Sequence, residues 1–216
     1  MKKNRSNILA VTVLALTLVL NFGVSRTVVA TAAQMGDMPY DLHYIDMMIM
    51  HHQEGIEMAQ MAQTKAVSPK VKALADRIVT DQQKDIAELQ GHRNHWYAAK
   101  PPMDPAMMSS MMQGMHPGMM SMEDTRRKLL AADGAAFDRL FLETMIHHHQ
   151  MAIDMSKEAR TKAEHAEIKE IARKTIAKQT AEIAEMNRLN GVGKAKAKTK
   201  AKPKAKAKPM DHTHMP

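Results

Sequence analysis

The feature that most constrains this chain is an internal repeat. A shift of 97 residues, with no gap, aligns residues 41–89 with residues 138–186. Both copies contain a Met-Ile pair, a His-His-Gln triplet and a later Ile and Met. These matches place Met48, Ile49, His51, His52, Gln53, Ile56 and Met58 on Met145, Ile146, His148, His149, Gln150, Ile153 and Met155. Self-similarity of this kind predicts one structural unit that is used twice.

Helix signals divide each copy into two helices. Ser68 before Pro69 is typical of a helix start, as is Asp133, and Asn190 with Gly191 is typical of a helix end. These signals predict four helices, at about residues 39–63, 69–97, 134–161 and 165–189. Each pair is joined by a short turn, so two hairpins form. They bury their apolar stripes best by packing together as a four-helix bundle.

The composition favours the same all-α fold. Aromatic residues make up only 3% of the chain, while Ala, Met, Leu and Ile are plentiful, which suits helix-on-helix packing better than a sheet. There is no cysteine, so no disulfide supports the fold and no thiolate is available to a metal ion.

The first residues predict export. Lys2, Lys3 and Arg5 precede an apolar run over residues 8–24, and small residues follow at 30–33, in the order of a secretory signal peptide. We therefore predict a signal peptide at residues 1–33 and a periplasmic or otherwise exported protein. An uncleaved membrane anchor is the alternative, because about 17 apolar residues reach the lower limit for a membrane span.

The remaining chain divides into three kinds of segment. Residues 34–98 and 124–193 are predicted to be the two hairpins, which together form one bundle domain over residues 34–193. Residues 99–123 form a Met-rich linker that prolines and glycines interrupt, so a continuous helix is not expected there. Residues 194–216 form a Lys-rich tail with a Met- and His-containing end, and this tail is predicted to be disordered.

The net charge of +8 does not describe the predicted bundle. Four cationic residues fall in the predicted signal peptide and eight lysines fall in the tail, so residues 34–193 carry 19 basic and 22 acidic side chains. A domain with this balance does not have the basic character of a nucleic-acid-binding body.

The first helix carries the chemistry that indicates a function. Residues 47–58, MMIMHHQEGIEM, combine four methionines with two adjacent histidines. At about 100° per residue, one apolar stripe is predicted to face inward and is formed by Ile45, Ile49, His52 and Ile56. A neighbouring stripe of thioethers and imidazole is formed by Met47, His51 and Met58, with Met48 between the two. Thioethers and imidazoles favour Cu(I), and by the same softness Ag(I), over zinc.

A purely structural interpretation competes with this one. Methionine is an unbranched filler of irregular cores, and a histidine on an apolar stripe is usually a hydrogen-bonded core residue. The linker favours the metal, because a segment that is not expected to form a helical core stripe has little packing reason to carry so many thioethers. These residues are Met103, Met107, Met108, Met111, Met112, Met115, Met119, Met120 and Met122, with His116.

The repeated motif also resembles a known family. The stretches YIDMMIMHHQEGIEMAQ and FLETMIHHHQMAIDMS have an aromatic residue, Met-Ile, His-His, and a Met six residues after the second His. This pattern resembles the bacterial domain of unknown function 305 family, which includes CopM-like periplasmic copper-binding proteins, and the resemblance covers about residues 39–189. It implies a ferritin-like four-helix bundle that binds copper through Met and His in resistance or homeostasis.

The resemblance also implies metal ligands at matching positions. These ligands are Met48, His51, His52, Met58, Met145, His148, His149 and Met155. Variable flanking positions and the linker leave a set of auxiliary ligands open, at Met47, Met111, Met112, Met115, His116, Met119, Met120 and His147.

We therefore predict an exported, non-enzymatic protein that sequesters or transfers Cu(I), with Ag(I) and Cu(II) as further ions. A copper efflux or delivery protein, an anionic envelope surface contacted by the Lys tail and a second copy of the chain remain open as partners. One alternative is an envelope-associated interaction protein localised by its polybasic tail. A ferritin-like metal oxidase is disfavoured, because neither helix presents the Glu-x-x-His spacing of di-iron sites.

Overall fold

A computed structural model describes residues 38–115 and 120–191. Within these ranges the chain forms six helices and no strand, which confirms the all-α class. The helices are α1 (Tyr40–Lys65), α2 (Pro69–Tyr97), α3 (Pro105–Met115), α4 (Met122–Ala131), α5 (Gly134–Lys162) and α6 (Ala166–Leu189). The predicted signal peptide and the Lys-rich tail lie outside the described residues. None of the six helices is both long and apolar enough to cross a membrane.

Four long helices form two hairpins that meet along α1 and α5. α1 packs along α2, α5 packs along α6, and α1 contacts α5. The Tyr44 hydroxyl lies 3.0 Å from the Ser156 hydroxyl, and His51 contacts His148. Because residue numbers rise along one helix as they fall along the other, α1 and α5 run antiparallel. The repeat-equivalent residues His51 and His148 therefore face each other where the two helices cross.

One cluster of the hydrophobic core lies at one end of this α1–α5 contact. Phe137 and Phe141 of α5 are fully buried there, together with Leu74 and Ile78 of α2. Leu129 of α4 packs into the same cluster. Burial of side chains of this size contributes about 1.5–3 kcal/mol each to the free energy of unfolding. This end of the molecule is therefore an ordinary apolar core.

Two aspartates bind the interhelical turn of the opposite hairpin. Asp138 of α5 accepts hydrogen bonds from the backbone N–H groups of Val67 and Ser68, at 3.0 and 2.9 Å. Its repeat equivalent Asp41 accepts the corresponding bonds from Glu164 and His165, at 2.9 and 2.8 Å. Each hairpin thus supplies the anion that satisfies buried backbone donors of the other.

The predicted N-caps are in place. Ser68 and Asp133 occupy the N-cap positions of α2 and α5, but neither side chain makes a capping hydrogen bond. The Ser68 backbone N–H donates to Asp138, so a tertiary contact holds the start of α2. At the end of α6 the prediction agrees with the structure, since Gly191 follows Asn190 with φ +75°.

The linker differs most from its prediction. Residues 105–115 form α3, and Met103, Met108 and Met112 are buried. Pro105 occupies the first helical position, where a proline needs no hydrogen-bonded N–H, and residues 106–113 contain neither proline nor glycine. The expectation that this segment is unable to form a buried helical stripe was therefore wrong.

A buried ion pair holds the start of the linker against the bundle. The Arg93 guanidinium of α2 donates to the Asp46 carboxylate of α1 at 2.6 Å. The same carboxylate accepts the Met103 backbone N–H at 3.3 Å, and the Arg93 guanidinium also donates to the Lys100 carbonyl at 3.4 Å. The chain that leads from α2 to α3 is therefore fixed on α1.

The stripes of α1 are also buried differently from the prediction. Ile45 of the apolar stripe is fully buried, but Ile49 and Ile56 are only half-buried. Met47, His51 and Met58 of the neighbouring stripe are each at most 1% exposed. The inward face of α1 is therefore centred on the thioether and imidazole residues, because this is the face that meets α5.

Replacement of Asp138 tests the exchanged aspartates. Asp138→Ala leaves two backbone N–H donors without their anionic acceptor, so we expect a loss of about 2–3 kcal/mol in the free energy of unfolding. Asp133→Ala is the control, since Asp133 is 88% exposed and pairs only with Lys65 at the surface, and it should cost less than about 1 kcal/mol. Urea unfolding followed by circular dichroism measures both. Equal costs for the two variants would contradict this account.

Candidate metal centre

Two repeat-related histidines face each other where α1 meets α5. The rings of His51 and His148 stack with their centroids 3.6 Å apart and an interplanar angle of 23°. The Nε2 atom of His51 lies 2.9 Å from the His148 backbone carbonyl oxygen. A carbonyl only accepts, so Nε2 of His51 carries the proton and donates it, and Nδ1 holds the lone pair.

The adjacent histidines turn towards carboxylates of the outer helices. The Nε2 atom of His149 lies 2.6 Å from the Glu182 carboxylate of α6. Its repeat equivalent, Nε2 of His52, lies 3.6 Å from the Asp85 carboxylate of α2, which Lys178 also contacts at 3.0 Å. The Glu182 carboxylate orients the His149 imidazole and leaves its other nitrogen for a metal ion. The distance of 3.6 Å at His52 is too long for a hydrogen bond.

These four imidazoles form an unsatisfied polar centre between the helices. All four histidines are at most 1% exposed, and the Nδ1 atom of each has no hydrogen-bond partner among the described residues. Both ring nitrogens of His148 and both amide atoms of the neighbouring Gln82 also have none there. A buried polar atom without a partner costs about 1–3 kcal/mol. A cluster of them is the arrangement expected of side chains kept for a ligand.

A glycine permits the close packing around His148. Gln82 lies over Gly55, and a Cβ atom at Gly55 would lie 2.9 Å from Cε1 of His148 and closer still to the Gln82 amide oxygen. The repeat places Ala152 at the equivalent position. Gly55 is therefore required by the approach of Gln82 and His148 to the α1 backbone.

Burial keeps the histidines neutral. The pKa values of His51 and His148 lie well below 6.5, first because both rings are buried and then because neighbouring histidines repel a second proton. Burial also lowers the pKa of His52, although Asp85 opposes this shift. At neutral pH these imidazoles therefore retain the lone pairs that a metal ion requires.

A cavity lined by thioethers lies beside His148. It has a volume of about 40 Å³ between α1, α3, α4 and α5. His148 lines it, and its sulfur atoms come from five methionines: Met58, Met112, Met120, Met122 and Met151. Such a volume holds a single ion or a water molecule. Its walls offer mainly neutral, polarizable donors.

One carboxyl group also lines this cavity. Burial, and then repulsion from Glu57, raise the pKa of Glu54 to about 7. Glu54 is therefore protonated in about half of the molecules near neutral pH. A cation in the cavity would favour its ionised form.

The predicted family ligands fall into three places. Met58 and His148 line the cavity beside the stacked rings, and His51, His52 and His149 lie in the polar centre next to it. Met48 and Met145 are fully buried, but they line neither this cavity nor a second cavity that lies at the other end of the contact between α1 and α5. Met155 lies away from this cavity, at the other end of the α1–α5 contact, together with the auxiliary Met47.

The auxiliary residues are also divided. Met112 and Met120 line the cavity, Met111 is half-buried outside it, and His147 is exposed. The side chains of Met115, His116 and Met119 lie outside the described residues.

Sequence reasoning named Met122 among the linker thioethers but not as a ligand, and it missed Met151 and Glu54. Met151 follows His148 by three residues and so shares its helix face, which could have been seen in the sequence. It has no methionine counterpart in the first copy, where Glu54 stands, so matching of the repeats excluded it. Met122 and Glu54 line the cavity because of how α4 and α1 pack against α5, and this tertiary packing has no local signal in the sequence.

The donor set fits a soft ion. Among the described residues, no three His, Cys, Asp or Glu side chains converge in a geometry that could hold a metal ion. Zinc sites in proteins use such residues, whereas thioether sulfur binds Cu(I) and Ag(I). The cavity combines sulfur with the unpaired imidazole of His148, so its residues fit copper in its reduced state.

Comparisons with known proteins give the family. Residues 41–190 match the family described as Domain of unknown function (DUF305). CopM in its Cu(II)-bound form is 38% identical with a TM-score of 0.58, over 70% of this chain and 95% of CopM. Its Cu(I)-bound form is 33% identical with a TM-score of 0.56, and an Ag-bound form is 34% identical with a TM-score of 0.55. Both cover 69% of this chain, and 94% and 93% of theirs, respectively.

A DUF305 fragment from Deinococcus radiodurans has the same fold. It is 25% identical with a TM-score of 0.62, over 71% of this chain and 97% of the fragment. No relative of curated function matches this chain.

The buried histidines predict that the metal-free protein loses stability in acid. Below about pH 6.5 the unfolded chain binds protons at His51, His52 and His148 that the folded chain does not, so the free energy of unfolding falls as pH decreases. Each contributes at most about 1.4 kcal/mol per pH unit. The raised pKa of Glu54 has the opposite effect, because between pH 4.5 and about 7 the folded chain binds a proton there that the unfolded chain does not. Glu54 is a single, partly exposed group, so the three histidines dominate.

Urea unfolding in a metal chelator at pH 7.5, 6.5 and 5.5 measures this dependence. The free energy of unfolding should decrease at each step, and His148→Gln should make the decrease smaller. A constant or rising stability towards pH 5.5 would show that the buried imidazoles are not neutral in the folded state.

Proposed function

Because this chain belongs to the DUF305 family, some of whose solved structures hold copper or silver, we propose that it is an exported copper-binding protein. Its principal ion is Cu(I), with Ag(I) bound by the same donors. It binds the ion in the cavity between α1, α3, α4 and α5. In this role the four long helices serve as a ferritin-like bundle, and α3 and α4 complete the site.

The observation that carries this proposal is the meeting of sulfur with an unpaired imidazole. Met58 and Met151 reach the cavity from the two repeat-related helices, and Met112 reaches it from the linker helix. His148 supplies the nitrogen. A neutral thioether needs no deprotonation, so this site loses less affinity in acid than a thiolate site would.

The polar centre provides a different donor set next to this cavity. The Nδ1 atoms of His51, His52 and His149 are unpaired. Burial lowers the pKa of His51 and His52, so at neutral pH no second proton competes with a metal ion for these two rings. Imidazole binds Cu(II) as well as Cu(I). We propose that Cu(II) binding, where it occurs, depends on these histidines rather than on the thioethers.

The proposed role is sequestration or transfer without catalytic turnover. The neutral thioether and imidazole ligands hold Cu(I) reversibly, and a copper efflux or delivery protein would accept the ion. The Lys-rich tail, outside the described residues, would localise the protein at an anionic envelope surface. The alternative of a purely structural interaction protein does not account for unsatisfied imidazoles beside a sulfur-lined cavity.

Replacement of two cavity methionines tests the site. Met58→Leu combined with Met151→Leu keeps the side-chain volume and removes two sulfur donors. We expect Cu(I) affinity, measured by competition with a Cu(I) chelator, to fall at least tenfold, while helicity stays unchanged. Zn(II) binding should be weak in both proteins.

Met186→Leu is the matched control, since Met186 is fully buried in the apolar core and does not line the cavity. It should leave the Cu(I) affinity unchanged. The pair Met48→Leu and Met145→Leu decides whether those family positions bind the ion. Unchanged affinity after loss of Met58 and Met151 would refute the cavity as the copper site.

A further inference from the structure

A second cavity lies at the other end of the contact between α1 and α5. It has a volume of about 300 Å³, and every residue that lines it belongs to one of these two helices. His43, Met47 and Met155 supply an imidazole and two thioethers to its wall. This cavity therefore carries the donor types of the first one.

The internal repeat relates the two cavities. Met58 lines the first cavity, and the residue 97 positions later, Met155, lines the second. Thr144 lines the first cavity, and the residue 97 positions earlier, Met47, lines the second. The two cavities therefore share two repeat-equivalent lining positions, 47 with 144 and 58 with 155. The second has a thioether where the first has a hydroxyl.

The charges around the second cavity leave its neutral donors available. Asp154 and Glu158 line it, but Lys157 and Lys162 pair with them at 2.8 and 2.9 Å. Burial lowers the pKa of His43, so its imidazole keeps a lone pair at neutral pH. No three His, Asp or Glu side chains converge in the part of the chain that the structure describes, so a hard or borderline divalent ion finds no ligand set here.

The two cavities differ in size and in the helices that line them. In the first, Met112 of α3 and Met122 of α4 line a space of about 40 Å³, so an ion must lose its other ligands before it fits. The second is more than seven times larger, and neither α3 nor α4 contributes to its wall. Since a water molecule takes about 30 Å³ of liquid, the second cavity has room for an ion together with several small ligands.

We propose that the second cavity is a loading site for a soft monovalent cation, Cu(I) or Ag(I), which His43, Met47 and Met155 bind while the ion keeps an external ligand. This inference rests on the proposed function of the first cavity. The second site exchanges its ion faster, because fewer protein donors hold it and its larger volume leaves room for an incoming ligand beside the ion.

Cu(I) titration and chelator transfer of the purified protein test this inference. Bathocuproine disulfonate added to the loaded protein should remove Cu(I) in a fast and a slow phase, observed by stopped-flow absorbance. The pair Met47→Leu and Met155→Leu should remove one bound equivalent and the fast phase. The pair Met58→Leu and Met151→Leu should remove the slow phase and retain the fast one. Met186→Leu is the control for loss of a buried sulfur atom.

Each result has one meaning. If the second-cavity pair retains both equivalents and both phases, the loading site is refuted while the proposed function stands. If the pair Met58→Leu and Met151→Leu leaves both equivalents and both phases unchanged, the proposed copper site in the first cavity is refuted. Circular dichroism of each variant shows whether it is folded, and Ag(I) titration monitored by the ¹H NMR methyl signals of methionine gives an independent readout of the occupied cavity.

Discussion

The stacked contact between His51 and His148 determines how the two halves of the molecule fit together. It places two buried imidazoles, 3.6 Å apart, at the crossing of two antiparallel repeat-related helices. Neither ring finds enough hydrogen-bond partners among the described residues, so this contact weakens the fold. Apolar packing around Phe137 and Leu74 and the two exchanged aspartates offset that cost. Stability therefore comes from contacts outside the histidine centre, and the unpaired imidazoles are available to a ligand.

The crossing also explains why soft donors lie on both sides of it. α1 and α5 present the same repeated face to each other, so the positions that flank the histidines meet at each end of the contact. At one end the inserted helices α3 and α4 add methionines and reduce the space to the size of an ion. At the other end no such addition lines the cavity. A repeated hairpin with two further helices between its copies accounts for two related but unequal cavities.

The sequence predicted those features that depend on local pattern and on the repeat. The four long helices, their pairing and the stop at Gly191 follow from periodicity, short turns and a residue that tolerates positive φ. The missed helix α3 shows the limit, because Pro105 and Gly114 stand at its two ends, where they are compatible with a helix. Asp138 binds the start of α2 through a contact 70 residues away, which no local signal reveals. Met151 was overlooked because repeat matching favours residues present in both copies, whereas the cavity also uses residues present in one.

In the proposed site the methionines act as sulfur ligands to the ion and not only as apolar packing residues. X-ray absorption at the copper K edge of the protein loaded with one equivalent of Cu(I) tests it most directly. We predict a ligand shell dominated by sulfur with one imidazole nitrogen, and a smaller sulfur contribution after Met58→Leu and Met151→Leu. A shell that contains only nitrogen and oxygen would contradict this account.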